Sequence, residues 1–144
     1  MPINERTLSH IGSWQSSGAG WFAARQPGIL RFLGDRLSGD ALALGLAAAR
    51  QISVAFERHE GLRGPSLAST ALERAEELAH RDVLDRLARG PYAERQAALI
   101  KWIAQLLVDP PVLLSREERR DIGMALVAVV YAFEAMSLAR VTAA

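Results

Sequence analysis

From Ile122 to Phe133 the chain runs without a single charged residue, and it is flanked by charge on both sides. Just upstream, Ser115 and Glu118 stand three residues apart, the spacing of a capping box. The serine hydroxyl accepts from the Glu118 amide while the carboxylate reaches back to the Ser115 amide. Glu117 and Glu118 also sit at the positive end of the helix dipole. The pattern predicts a helix over Ser115–Arg140 that is apolar on every side. Such a helix must be surrounded, so it belongs in the middle of the fold. Its uncharged run falls short of the ~20 residues that cross a bilayer.

Upstream, apolar residues recur at intervals of three and four, the helical period. Pro27 suits a first helical position, with Ile29, Leu30, Phe32, Leu33 and Leu37 as the apolar face. Ser38-Gly39-Asp40 ends that helix and offers Asp40 as the next N-cap. A second helix, Ala41 to His59, carries a stripe at Leu42, Leu46, Ala49, Ile52 and Phe56. Its Gly45 and Ala47-Ala48-Ala49 leave room for close helix approach, and Gly61 is its stop.

Arg63-Gly64-Pro65 opens a third helix, supported by Leu72, Ala75, Leu78, Ala79, Val83 and Leu87. His80-Arg81-Asp82 reads as an interruption, with Asp82 capping a second short piece. Arg89-Gly90-Pro91 opens the segment Tyr92 to Val108, which Asp109-Pro110-Pro111 closes. There Ala93, Ala97, Ile100, Ala104 and Leu107 share one face, and Leu99, Trp102, Ile103 and Leu106 widen it, so this helix too is expected to be largely buried. The two Arg-Gly-Pro tripeptides are reused punctuation and not a repeat, because the segments after them do not match. Ahead of these helices, Asn4 can cap a short helix with Leu8 and Ile11, and Gly12 to Gly20 reads as a linker. The expected architecture is all-α: a single-domain bundle of about five main helices, residues 27–144, around a largely buried C-terminal helix, preceded by an arm over residues 1–26.

Composition agrees. Half of the 144 residues are hydrophobic and 23% are charged, enough to fold one domain and bury roughly 70% of its unfolded surface. Alanine and leucine dominate, while β-branched residues are sparse, which favours helix over strand. The absence of cysteine excludes disulfides, thiolate metal sites and a cysteine nucleophile. With Glu5 and no apolar h-region near the start, no secretory signal is visible, and a cytoplasmic setting is expected. A net charge of +1 supplies no global attraction to nucleic acid or an anionic membrane. Every basic residue but Lys101 is arginine, interleaved with acids as on solvated helix faces.

Glu77 and His80 have the E-x-x-H spacing that ligates iron in carboxylate-bridged helical bundles. Such a centre needs the motif twice, and it occurs once. Glu134 and Glu57 are the other acids on apolar helices; Glu134 is expected to be paired structurally, because an unpaired buried acid is costly. His10, His59 and His80 are scattered and make no metal-ligand spacing. No phosphate-binding glycine loop or nucleophile elbow is present. No catalytic residue, metal or cofactor is therefore expected. Arg116, Arg119 and Arg120 form the densest basic patch, but Glu117, Glu118 and Asp121 neutralise it. Nucleic acid is expected only through a larger complex.

Within residues 49–77, Val54-Ala55-Phe56-Glu57-Arg58-His59-Glu60-Gly61, then Leu67 and Ala71-Leu72-Glu73-Arg74-Ala75, resemble the small all-helical bacterial immunity proteins. A phenylalanine–glutamate helix end, a glycine-containing turn and an alanine-rich helix recur there. The resemblance implies a cytoplasmic protein that neutralises a cognate toxin by covering its active site or substrate surface. The expectation is thus a non-enzymatic protein-binding or inhibitory protein, its partner a toxin, an effector or a complex subunit, with no membrane involved. A small helical subunit of a multi-protein assembly is the alternative, and a ferritin-like metal protein comes third. The expected binding surface is the turn with His59, Glu60 and Arg63, together with Trp14 and Trp21 of the arm. Polar groups there can make charge-assisted bonds beside aromatic anchors.

Overall fold

Pro27 fixes the first turn of a helix that runs to Arg36, and four more helices follow among the described residues. The computed structural model describes residues 25–60, 66–84 and 96–143. Its helices are α1 (Pro27–Arg36), α2 (Gly39–Glu60), α3 (Ser69–Leu84), α4 (Ala97–Val108) and α5 (Arg116–Ala143). The protein is an all-α bundle, with no strand among the described residues.

The last helix is the centre. Both bonds of the capping box form: Glu118 N–H donates to Ser115 Oγ at 3.1 Å, and Ser115 N–H donates to Glu118 Oε1 at 3.0 Å. From Ala128 to Glu134 every residue of α5 is buried, and the helix packs against each of the other four. By length and composition Arg116–Ala139 would also pass for a membrane span, but more than half of its apolar 18-residue window is buried in the bundle. Phe133 stacks on Phe56 of α2, with ring centroids 5.2 Å apart, which brings the end of α2 beside the later half of α5.

α1 buries Ile29, Phe32, Leu33 and Leu37, as its pattern predicts. Its N-cap residue, Gln26, makes no side-chain cap. Its Oε1 instead accepts the Leu67 N–H at 2.9 Å. Gly28 permits this approach, since a Cβ there would lie 2.1 Å from the Leu67 carbonyl oxygen. At the other end of α1, Arg36 lies 3.8 Å over the Phe32 ring and donates to Glu76 of α3 with two nitrogens, Nη2 at 2.7 Å. That forked bond raises the Arg36 pKa above its ordinary value. Arg25 pairs with Glu57 of α2 at 3.3 Å, so Arg25 and Gln26, at the end of the segment read as an arm, are joined to the bundle.

Several sequence expectations are corrected. Asp40 is not an N-cap: α2 begins at Gly39, whose φ of 57° suits glycine, and Ser38 C=O accepts the Leu42 N–H at 3.3 Å. Asp40 lies exposed in the first turn. Of the expected α2 stripe, Ala49, Ile52 and Phe56 are buried while Leu42 and Leu46 are only half-buried; Ala41, Leu44, Ala48 and Ala55 complete the buried face. Small residues at the centre allow the close approach expected of them: a Cβ at Gly45 would meet Leu37 Cδ1 at 2.7 Å.

α3 starts at Ser69 and not at Pro65, because Ser66–Ala68 stays non-helical where Leu67 is tied to Gln26 and buried. It then runs unbroken through His80-Arg81-Asp82 to Leu84. None of these three residues lacks an amide or carries glycine's entropy cost, and Leu72, Ala75 and Ala79 hold the helix to the core. α4 is the largest correction. Only Leu99 and Ile103 of its apolar residues are buried, while Ala97 and Ala104 face solvent. Gly61, Arg63-Gly64-Pro65 and Arg89-Gly90-Pro91 lie outside the described residues.

Candidate functional site

α4 and α5 form an antiparallel hairpin with a definite register. Near its closed end, Leu107 Cδ1 fills the space over Gly123, only 2.9 Å from where a Cβ would be. Eleven residues along each helix, Gln96 Nε2 donates to Glu134 Oε2 at 2.6 Å. Both side chains there are buried, at 1% and 2% exposure. Glu134 is thus paired structurally as expected, with a glutamine amide from the start of α4 among its partners. A carboxylate in the bundle interior needs such donors to offset its desolvation.

The connection between the two helices is pinned at both ends. Asp109 N–H donates to Gln105 C=O at 3.3 Å, and Pro110, having no amide, prevents continuation of α4. The Ser115–Glu118 box opens α5. Between them, the three apolar residues of Val112-Leu113-Leu114 differ in depth, with Val112 half-buried. Leu114 is buried at 6% exposure and anchors the turn; Leu113 projects at 95% exposure, and Val108, at the end of α4, is 79% exposed. These are the two most exposed large apolar residues among those described.

The patch extends along α4. Its exposed positions, Ala97, Lys101, Ala104, Gln105 and Val108, follow at helical intervals and include one charge. The solvent face of α3 is more charged: it presents Glu73, Arg74, Glu77, His80 and Arg81, with Leu78 exposed among them. On the other side of Leu113, the first turns of α5 expose Arg116, Glu117, Arg119, Arg120 and Asp121, with Glu118 held in the cap. Three arginines there face three acids, for no net charge. An apolar centre rimmed by charges of both signs is the composition of a protein-binding surface.

Of the residues singled out from sequence, Trp14, Trp21 and Arg63 lie outside the described residues. His59 and Glu60 are the last two positions of α2, with their side chains also outside them. Glu77 and His80 are exposed on α3, and no three His, Asp or Glu side chains gather into a metal-sized cluster among the described residues. A shallow cleft of about 230 Å³ lies between α1 and α3, lined by Arg31, Phe32, Asp35, Arg36, Ser69 and Glu73. Its Arg36 is engaged by Glu76, and cations and acids alternate around it. Sequence reasoning missed the α4–α5 corner. The available signal was three consecutive apolar residues directly after two prolines, in a turn too short to bury them all. No family model, characterised protein or solved structure matches this chain.

Proposed function

We propose that this chain is a non-enzymatic protein-binding protein. The observation that carries this is the α4–α5 corner, where Leu113 and Val108 stand exposed on a turn fixed at both ends, next to an almost uncharged helix face. Exposing such apolar surface is unfavourable in water, and a protein partner would cover it. The resemblance of residues 49–77 to immunity proteins supports a finer form, in which the partner is a toxin or effector and binding neutralises it. For that partner the His59, Glu60 and Arg63 turn, with Trp14 and Trp21, is the proposed contact.

A role as a helical subunit of a larger assembly is the second reading. It is favoured by the spacing of the two surfaces. Phe133, beside the end of α2, is seventeen residues from Arg116, about 25 Å along the helix. The test is to co-express the tagged full chain with the products of the genes flanking its own and to measure binding of each purified pair by calorimetry. Trp21→Ala and Arg63→Ala should each weaken a toxin or effector complex by more than ~1 kcal/mol. Binding to no flanking gene product, together with a corner that contacts no protein, would remove the reading.

A further inference from the structure

We propose that the α4–α5 corner is a self-association surface, on which a second copy of this chain docks about a two-fold axis. The proposal rests on the corner being a protein-binding surface and names its occupant. A two-fold interface sets one patch against itself, so that patch must be self-complementary. Apolar groups have to sit near the axis, and charges of both signs have to be present in balance around them.

The corner meets each requirement. Its apolar part is Leu113, Val108 and the solvent face of α4, where Ala97 and Ala104 are small enough to admit a second helix closely. Its charged part is the start of α5, with Arg116, Arg119 and Arg120 balanced by Glu117, Glu118 and Asp121. A partner bearing a large net charge of either sign finds no complementary field on this mosaic. A second copy brings acids toward the exposed arginines and arginines toward Glu117 and Asp121. The copy also brings its own Leu113, which needs an apolar seat, and an alanine-lined face to provide one.

The surface is preorganised. The hairpin beneath it is held by Leu107 over Gly123, by Gln96 on Glu134 and by the capping box, so little order is lost on pairing. Pairing here lies away from the Phe56–Phe133 stack, since Phe133 is about 25 Å along α5 from Arg116.

Sedimentation equilibrium of the full chain at up to roughly 200 µM tests the proposal, with Leu113→Asp and Val108→Asp as variants. Both positions are exposed, so each variant should keep the helical circular dichroism and melting temperature of the parent. The parent should reach twice its 15.7 kDa chain mass, and either aspartate should weaken the dimer by ~10-fold or more. The charge requirement has its own arm. A variant with Arg116, Arg119 and Arg120 all changed to Glu, and another with Glu117→Arg and Asp121→Arg, should each be monomeric alone. Mixed, they should form a heterodimer seen by native mass spectrometry. A parent that stays monomeric throughout the range overturns the proposal, as does a dimer indifferent to both aspartates. If the parent is monomeric but a different protein loses its grip on Leu113→Asp, the second-copy assignment falls and the protein-binding reading stands. If Leu113→Asp alters neither self-association nor binding to any other protein, both fall.

Discussion

Two glycines in α1 should respond to alanine with opposite signs. At Gly28 a new Cβ would lie 2.1 Å from the Leu67 carbonyl oxygen and 3.2 Å from its carbon. Both are backbone atoms, so no side-chain rotation relieves the clash. Either α1 or the Ser66–Ala68 segment must move by roughly an ångström, as overpacking requires, at a typical cost of about 1–3 kcal/mol. Movement also strains the Leu67 N–H bond to Gln26, whose side chain is buried and would lose a partner, a loss of about 1–3 kcal/mol if complete. Against this, alanine is preferred to glycine in a helix by about 0.5–1 kcal/mol. The net expectation for Gly28→Ala is a loss of about 2 kcal/mol.

Gly34 is exposed in the same helix, with nothing within 4 Å of its added Cβ, so Gly34→Ala should gain about 0.5–1 kcal/mol. Urea unfolding of both variants beside the parent would read these shifts from the midpoints at constant slope. In melting temperature each kcal/mol should appear as about 2–4 °C for a chain of this size. If both substitutions stabilise, the segment around Leu67 does not lie against the start of α1, and the reasoning is refuted.

Other substitutions probe the interior. Ser53 Oγ is buried without a hydrogen-bond partner, so Ser53→Ala should stabilise the fold by about 1 kcal/mol. A measured loss would mean that the hydroxyl is engaged. Gln96→Met keeps the volume but removes a donor from the buried Glu134 carboxylate, and should lower the unfolding free energy by about 1.5–3 kcal/mol. Unchanged stability would show that the bond contributes nothing net. Ala128→Asp places a charge at a fully buried site of α5 and should cost more than ~4 kcal/mol. A variant melting within a degree or two of the parent would displace α5 from the centre.

What could be read from sequence was what is local. The capping box formed because its two partners are three residues apart and need nothing else to find one another. The face of α1 was legible because its large residues are the ones that pack. On α2 the lower half of the stripe was legible, with Ala49, Ile52 and Phe56 all buried, but Leu42 and Leu46 were weighted over Ala41 and Leu44, which lie deeper. Nothing in the composition of α4 tells how deep it sits, since depth is decided by neighbours that the pattern does not name. Leu113 and Leu114 are chemically identical, and only their different depths at a pinned turn separate a core anchor from an exposed one. Gln96 on Glu134 joins residues 38 apart, and the hairpin register that makes them meet depends on the glycine seat at residue 123.

The central position of α5 also sets a timetable for synthesis. Each of the four earlier helices described packs against it, yet it is translated after all of them. At about 5–20 residues per second, α1 waits roughly 4–17 s between its own completion and the appearance of Ile122. During that interval α1 can meet α2 and α3, but the inward residues that face α5 have no final partner, and hydrophobic collapse among them is much faster than the wait. The nascent chain must then hold a loose, partly ordered set of four helices that remains open to a fifth. A premature stop before residue 116 would leave that state permanent, with Ile29, Leu33, Ile52 and Leu72 deprived of the helix that closes the core, and aggregation as the physical outcome.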